Sequence, residues 1–127
     1  MFRELGISLW RGSLGWDDYE QQPGRYDFGW LHRFIDLARD HRITLRPYLG
    51  YTPEWAAGGA RDQDGDAWNQ PPKDQRSWTA FVRALTAELR HHGNVEAIEI
   101  YNEQNVAQWW EGTVDEYANT LKSAAQA

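Results

Sequence analysis

Val95-Glu96-Ala97-Ile98-Glu99-Ile100-Tyr101-Asn102-Glu103-Gln104-Asn105 reads as a strand that runs out into a loop. A period of two sets Ile98 and Ile100 toward helices and Glu99, Tyr101 and Glu103 on the opposite face, with Asn102 and Glu103 at the strand's exit. Just before it, Gly93 ends one helical pattern; just after it, Thr113-Val114-Asp115-Glu116 opens another as a capping box. A strand held between two helices is one unit of an α/β fold, and the same order recurs upstream.

The other strand-like runs are Ile7 to Arg11 and Ile43 to Leu49. The first helix carries Leu31, Phe34, Ile35 and Ala38 at i, i+3, i+4, i+7, with a cap at Asp27 and an end near His41. The second, capped by Asp74 and ending at Gly93, aligns Trp78, Phe81, Val82, Leu85 and Leu89. The third aligns Val114, Tyr117, Ala118, Leu121 and Ala125. The order βα, βα, βα with right-handed crossovers predicts a parallel sheet. Helix-to-strand links are short (His41-Arg42, Gly93-Asn94), whereas strand-to-helix links are long: about 12 to 26, 50 to 73 and 103 to 112. Loops of more than about 12 residues in a small domain are usually functional, and these leave from the carboxyl ends of the strands, where α/β folds place their sites. They carry Trp16, Trp55, Trp68, Trp109 and Trp110.

Composition narrows the chemistry. The 127 residues form one domain, with 13 Lys+Arg against 19 Asp+Glu and a net charge of −6. That balance offers no basic face for nucleic acid or for anionic membrane surfaces. No apolar run approaches the roughly 20 residues of a membrane helix, no signal-peptide core follows Met1, and the compartment stays open. The absence of Cys removes thiolate nucleophiles and thiolate-ligated metals. Eight Trp in so polar a chain suit either core packing or stacking on the C–H faces of sugars. A carboxylate at a strand end beside an amide, as in Asn102-Glu103, has the makings of a positioned general acid. A polar strand terminus with Asn in a turn explains the same residues, and the segment by itself does not choose.

Four segments together resemble a known family. Glu99-Ile100-Tyr101-Asn102-Glu103-Gln104-Asn105 followed by Trp109-Trp110-Glu111-Gly112-Thr113 is similar to the fourth-strand segment of clan A glycoside hydrolases, above all family 39 β-xylosidases and their family 5 and 42 relatives. Leu5-Gly6-Ile7-Ser8-Leu9-Trp10-Arg11, with Trp16 five residues on, resembles their second strand; Glu20 to Phe28 resembles the run that follows it, and Tyr51-Thr52-Pro53-Glu54-Trp55-Ala56 the exit of the third. The resemblance implies a partial (β/α)8 TIM barrel of about three βα units, retaining hydrolysis of O-glycosidic bonds in β-linked saccharides (β-xylosidase or cellulase-like), and no cofactor. It implies Glu103 as the acid/base, Asn102 as partner of the sugar 2-hydroxyl and Arg11 as orienter of the nucleophile, with Trp16, Trp55, Trp109 and Trp110 as candidate sugar contacts. Gln104 stands where the family has Pro, and Tyr101 where it has Trp.

The clan's nucleophile is a Glu at the end of strand seven, and the resemblance here covers strands two to four. The chain is therefore expected to be a fragment, inactive alone, with open sheet edges prone to self-association. The loop carboxylates Asp17, Asp18, Glu20, Glu54 and Glu111 read as solvated rather than as replacement nucleophiles. A non-catalytic saccharide-binding or interaction module is the alternative. Smaller signals read blandly: Asp62 to Asp66 as an acidic loop rather than a calcium site, Glu88 with His91 and His92 as a helix end rather than a metal motif, Glu99 as the structural partner of Arg46, and Trp10 and Trp78 as core.

Overall fold

Three segments lie side by side with every pairing parallel. In this computed structural model, which describes residues 4–58 and 65–127, the first row is β1 (Leu9–Trp10) and β2 (Ser13–Gly15), the second β3 (Thr44–Leu45) and β4 (Tyr48–Gly50), and the third β5 (Glu99–Ile100). β1 pairs with β3, and β4 lies between β2 and β5 with Leu14 opposite Leu49 and Leu49 opposite Ile100. Bonds between the short strands keep each row continuous: Arg46 N–H donates to Trp10 O and Tyr48 N–H to Gly12 O, both at 2.9 Å, and Glu99 N–H donates to Pro47 O at 2.9 Å. The middle row divides at Pro47, which has no N–H to give the ladder.

The first row runs past Arg11, where the sequence reading ended it, to Gly15. Gly12 suggests a loop, but its missing side chain serves packing: a Cβ there would collide with the Trp10 ring. Leu14 then continues inward, 3% exposed.

The helices are α1 (Trp16–Tyr19), α2 (Gly29–Asp40), α3 (Gln75–Leu89) and α4 (Val114–Ala125). Asp27 Oδ1 accepts from Gly29 N–H at 2.9 Å at the entry to α2. Asp74 caps α3 through Arg76 N–H, and Thr113 with Glu116 forms the expected capping box on α4. α3 ends at Leu89 rather than Gly93, finishing in turns through His92. The expected α2 and α3 stripes are buried, apart from the half-exposed Phe34.

α4 departs from the reading. Val114 is 84% and Leu121 43% exposed, while Thr120 is fully buried. Thr120 tolerates this because its hydroxyl donates to Glu116 O (2.9 Å) and accepts from Gln75 Nε2 (3.2 Å), and its carbonyl accepts from Trp78 Nε1 (3.0 Å).

The core between sheet and helices is largely aromatic. Trp16 stacks on Phe81 at 5.6 Å and meets Trp78 at 5.5 Å; Trp78 meets Tyr101 at 6.0 Å, and Tyr101 meets Trp110 edge-on at 4.7 Å. Trp78 is core as expected; Trp10 is half-buried against Phe34. No helix among the described residues is long and apolar enough to cross a membrane.

Candidate active site at the strand carboxyl ends

Parallel pairing puts the exits of all three rows on one rim. There the backbone takes conformations that non-glycine residues rarely adopt: φ is +63° at Tyr51, +57° at Tyr101 and +49° at Glu103. Each such residue costs of order 1–3 kcal/mol, and such strain gathers at functional sites. At Tyr101 it ends the alternation. The sequence reading places Tyr101 on the same face as Glu99 and Glu103; instead its ring turns into the core, 3% exposed, and its hydroxyl meets Thr52 Oγ1 at 2.8 Å. Burial pushes the Tyr101 phenol upward.

Arg11 organises the polar side of the rim. Its guanidinium crosses over the Tyr48 ring on the intervening strand, 4.9 Å from the centroid. It reaches the third row, where Nη2 donates to Glu99 Oε2 at 2.6 Å and Nε to the same oxygen at 3.0 Å. The same Nη2 donates to Asn102 Oδ1 at 3.0 Å. These hydrogen bonds hold the Glu99 carboxyl below the usual carboxylate range. Arg46 does not pair with Glu99, contrary to the sequence reading: it bonds Glu96 at 3.0 Å. Register does not separate the two arginines, since Trp10 lies opposite Leu45 and Ser13 opposite Tyr48, which sets Arg11 level with Arg46; Arg46 is taken by Glu96, and Arg11 crosses the Tyr48 ring to Glu99. Because arginine only donates, it fixes the Asn102 amide with its oxygen toward Arg11 and leaves the NH2 as a donor for another group. Glu103, the next residue, stands exposed.

The Trp candidates separate. Trp16 and Trp110 are 0% and 4% exposed and belong to the core, so neither presents a face to a ligand here. Trp16 follows β2 directly and is carried inward by α1, its Nε1 bonded to Glu20 Oε2. Trp55 is half-buried, with Nε1 donating to Glu20 O at 2.8 Å. Trp109 is half-buried and meets Trp68 edge-on at 5.6 Å; Trp68 meets Tyr51 at 5.5 Å, and the Tyr51 and Tyr48 hydroxyls are 3.2 Å apart. This ladder uses Tyr48 and Tyr51, which sequence reasoning had not singled out as site residues. Their position at the end of the central strand was the available signal.

Two loop carboxylates read as solvated are buried: Glu20 at 2% and Glu111 at 7% exposed. Glu20 is structural, its second oxygen accepting from Gly24 N–H at 2.6 Å. Asp17 is the less expected one. Two residues past β2, its N–H donates to Tyr51 O at 3.0 Å, and its side chain helps line an open cleft of about 530 Å³ with Gln21, Pro53, Glu54 and Trp55. Burial, then the neighbouring Asp18 charge, pushes its carboxyl up to about 6. Among the described residues no group of three or more His, Cys, Asp or Glu is placed to hold a metal; Asp62 to Asp64 of the acidic loop lie outside the described residues.

Comparison with known proteins agrees with this architecture. The glycoside hydrolase family 42 model, described as beta-galactosidase, matches residues 1–62. No curated protein matches the chain. Among solved structures, an exo-beta-1,4-mannosidase from Opitutaceae bacterium strain TAV5 superposes with a TM-score of 0.73 at 19% identity, over 97% of this chain and 23% of that one. A family 39 glycoside hydrolase from Bacteroides cellulosilyticus WH2 gives 0.66 at 23% identity, over 97% and 24%. A GH5_18 protein from Bifidobacterium longum subsp. infantis gives 0.66 at 16%, over 95% and 33%. The chain thus spans about a quarter to a third of the length of these structures. Its fold is that of three βα units of a TIM barrel, and the proteins it is similar to are glycoside hydrolases.

Proposed function

We propose that this chain carries the acid/base half of a retaining glycoside hydrolase acting on β-linked saccharides, with Glu103 as the proton donor. The observation that supports this reading most is the Arg11 Nη2 to Asn102 Oδ1 bond of 3.0 Å. It leaves the Asn102 NH2 as donor to a sugar hydroxyl next to the reacting carbon, and Glu103 is the next residue, exposed at the end of the same strand row. In the forward step Glu103 protonates the departing glycosidic oxygen; in the second it takes a proton from the attacking water. Arg11 positions Asn102, rather than serving only the nucleophile.

A retaining site needs a second carboxylate about 5 to 5.5 Å from the first. Asp17 follows β2, which β4 separates from β5, so in this proposal the second carboxylate comes from a barrel strand other than these three rows. The chain alone is therefore expected to show no turnover of aryl β-xylosides, and Glu103-dependent turnover would overturn this assignment. In protein that includes the remaining barrel strands, Glu103→Gln should lower hydrolysis of substrates with poor leaving groups by about 10²- to 10⁴-fold while sparing activated aryl glycosides; equal loss on both would refute the acid role. Asn102→Ala should lower kcat more than it raises KM, because its hydrogen bond strengthens as charge develops. A second reading, a saccharide-binding module without catalysis, is favoured by the Tyr51–Trp68–Trp109 ladder and requires that binding survive Glu103→Gln with no turnover in any longer form.

A further inference from the structure

Glu99 belongs to β5, just ahead of Asn102 and Glu103. Its carboxylate takes two donors from one edge of Arg11: Oε2 accepts from Nη2 at 2.6 Å and from Nε at 3.0 Å, with Oε1 3.2 Å from the same Nε. The Tyr48 ring lies across the guanidinium, its centroid 4.9 Å from the central carbon. A planar group held by a carboxylate along one edge and by a ring over one face keeps a single orientation, so the direction of its remaining N–H groups is decided. Nη2 carries two of them. Glu99 takes one, and the other donates to Asn102 Oδ1 at 3.0 Å.

Charge gives this arrangement a second consequence. Glu103 stands near enough for Arg11 to feel its carboxylate, and the added Coulomb attraction draws a guanidinium to a carboxylate ahead of an amide. Without Glu99, Arg11 would turn from Asn102 to Glu103 and hold it ionised, with no proton to give. Glu99 offsets the arginine charge along one edge and leaves the amide as the partner of the other.

We propose that Glu99 is a positioning residue, acting through Arg11 to fix the direction of the Asn102 amide and to keep the guanidinium off Glu103. Its catalytic consequence rests on the acid/base reading of Glu103; its geometry does not. Side-chain resonances of the 127-residue chain test the geometry without turnover. Glu99→Gln should shift both Asn102 amide proton signals and speed exchange of the Arg11 Nε–H with water. Arg11→Lys should shift the same Asn102 signals, because one ammonium cannot serve a carboxylate edge and an amide in one plane. Glu96→Gln, which removes the partner of Arg46 instead, should leave them in place. Asn102 signals that ignore Glu99→Gln, or that respond equally to Glu96→Gln, would overturn the proposal.

In protein that includes the remaining barrel strands, Glu99→Gln should lower kcat about tenfold with little change in KM, and should cost almost nothing further when Arg11 is already Gln, because Glu99 acts only through it. A change confined to KM, or full additivity with Arg11→Gln, would overturn the positioning role. No turnover from the unmodified longer protein would count against the acid/base reading alone, with the Asn102 signals still deciding the role of Glu99.

Discussion

Asp17 shows how a single residue is tuned by its place in the chain. Entering α1 straight from β2 draws it down beside Tyr51 and Trp55, and the loss of water lifts its carboxyl to about 6 from a usual 3.8. The folded state therefore holds this proton more tightly than the unfolded chain. Between those two values the native form binds more protons, so stability falls as pH rises from about 4 to about 7 and is indifferent to Asp17 below that window. Solvent reaches the group in part, which limits its cost at neutral pH to about 1 kcal/mol. Asp17→Asn keeps the oxygen that accepts from Asp18 N–H at 3.1 Å and should raise stability near pH 7 while leaving it unchanged near pH 3.5. Thermal unfolding across that range measures both, and a variant with an unaltered pH profile would show Asp17 to be ordinary.

Among the elements, α4 depends most on its ends. Its apolar residues fall on two faces, and what seats the helix is a polar residue, Thr120, together with the capping box in which Thr113 Oγ1 accepts from Glu116 N–H (3.2 Å) and Glu116 Oε2 accepts from Thr113 N–H (2.7 Å). Thr113→Ala removes the hydroxyl half of that exchange. The expected cost is about 1 kcal/mol, read as a lower denaturant midpoint with unchanged slope and as faster amide exchange in the first turn of α4. α3 and α2, whose apolar stripes are seated in the core, should keep their protection.

At the scale of the whole molecule, β2 and β5 each pair on one side among the described residues, both with β4. The outer row also exposes Ile7 (41%) and Leu9 (46%). Unpaired edges of parallel strands seek partners, so light scattering on the 127-residue chain should show mass increasing with concentration. A monodisperse monomer throughout would refute this. The solved structures that it matches are about three to four times as long.

Much of this was legible in sequence because it depends on local periodicity and end chemistry. The stripes of α2 and α3, the Asp74 and Thr113 caps and the parallel order of three strand rows follow from spacing and from which residue ends each run. What only the tertiary structure decided were the pairings that cross from one row to the next and those set by backbone direction. Tyr101 turns inward because φ is positive there, against the alternation that Glu99 and Ile100 obey. Arg11 takes Glu99 by crossing over the Tyr48 ring of β4, whereas Arg46, level with Arg11 on the central row, takes Glu96. Trp16 and Trp110 are core while Trp55 and Trp109 stay half-exposed, although all four occupy loops of similar composition. A tryptophan face gains from burial as from stacking on a sugar, so composition carries no sign of which it meets; the neighbouring chain that arrives over it decides.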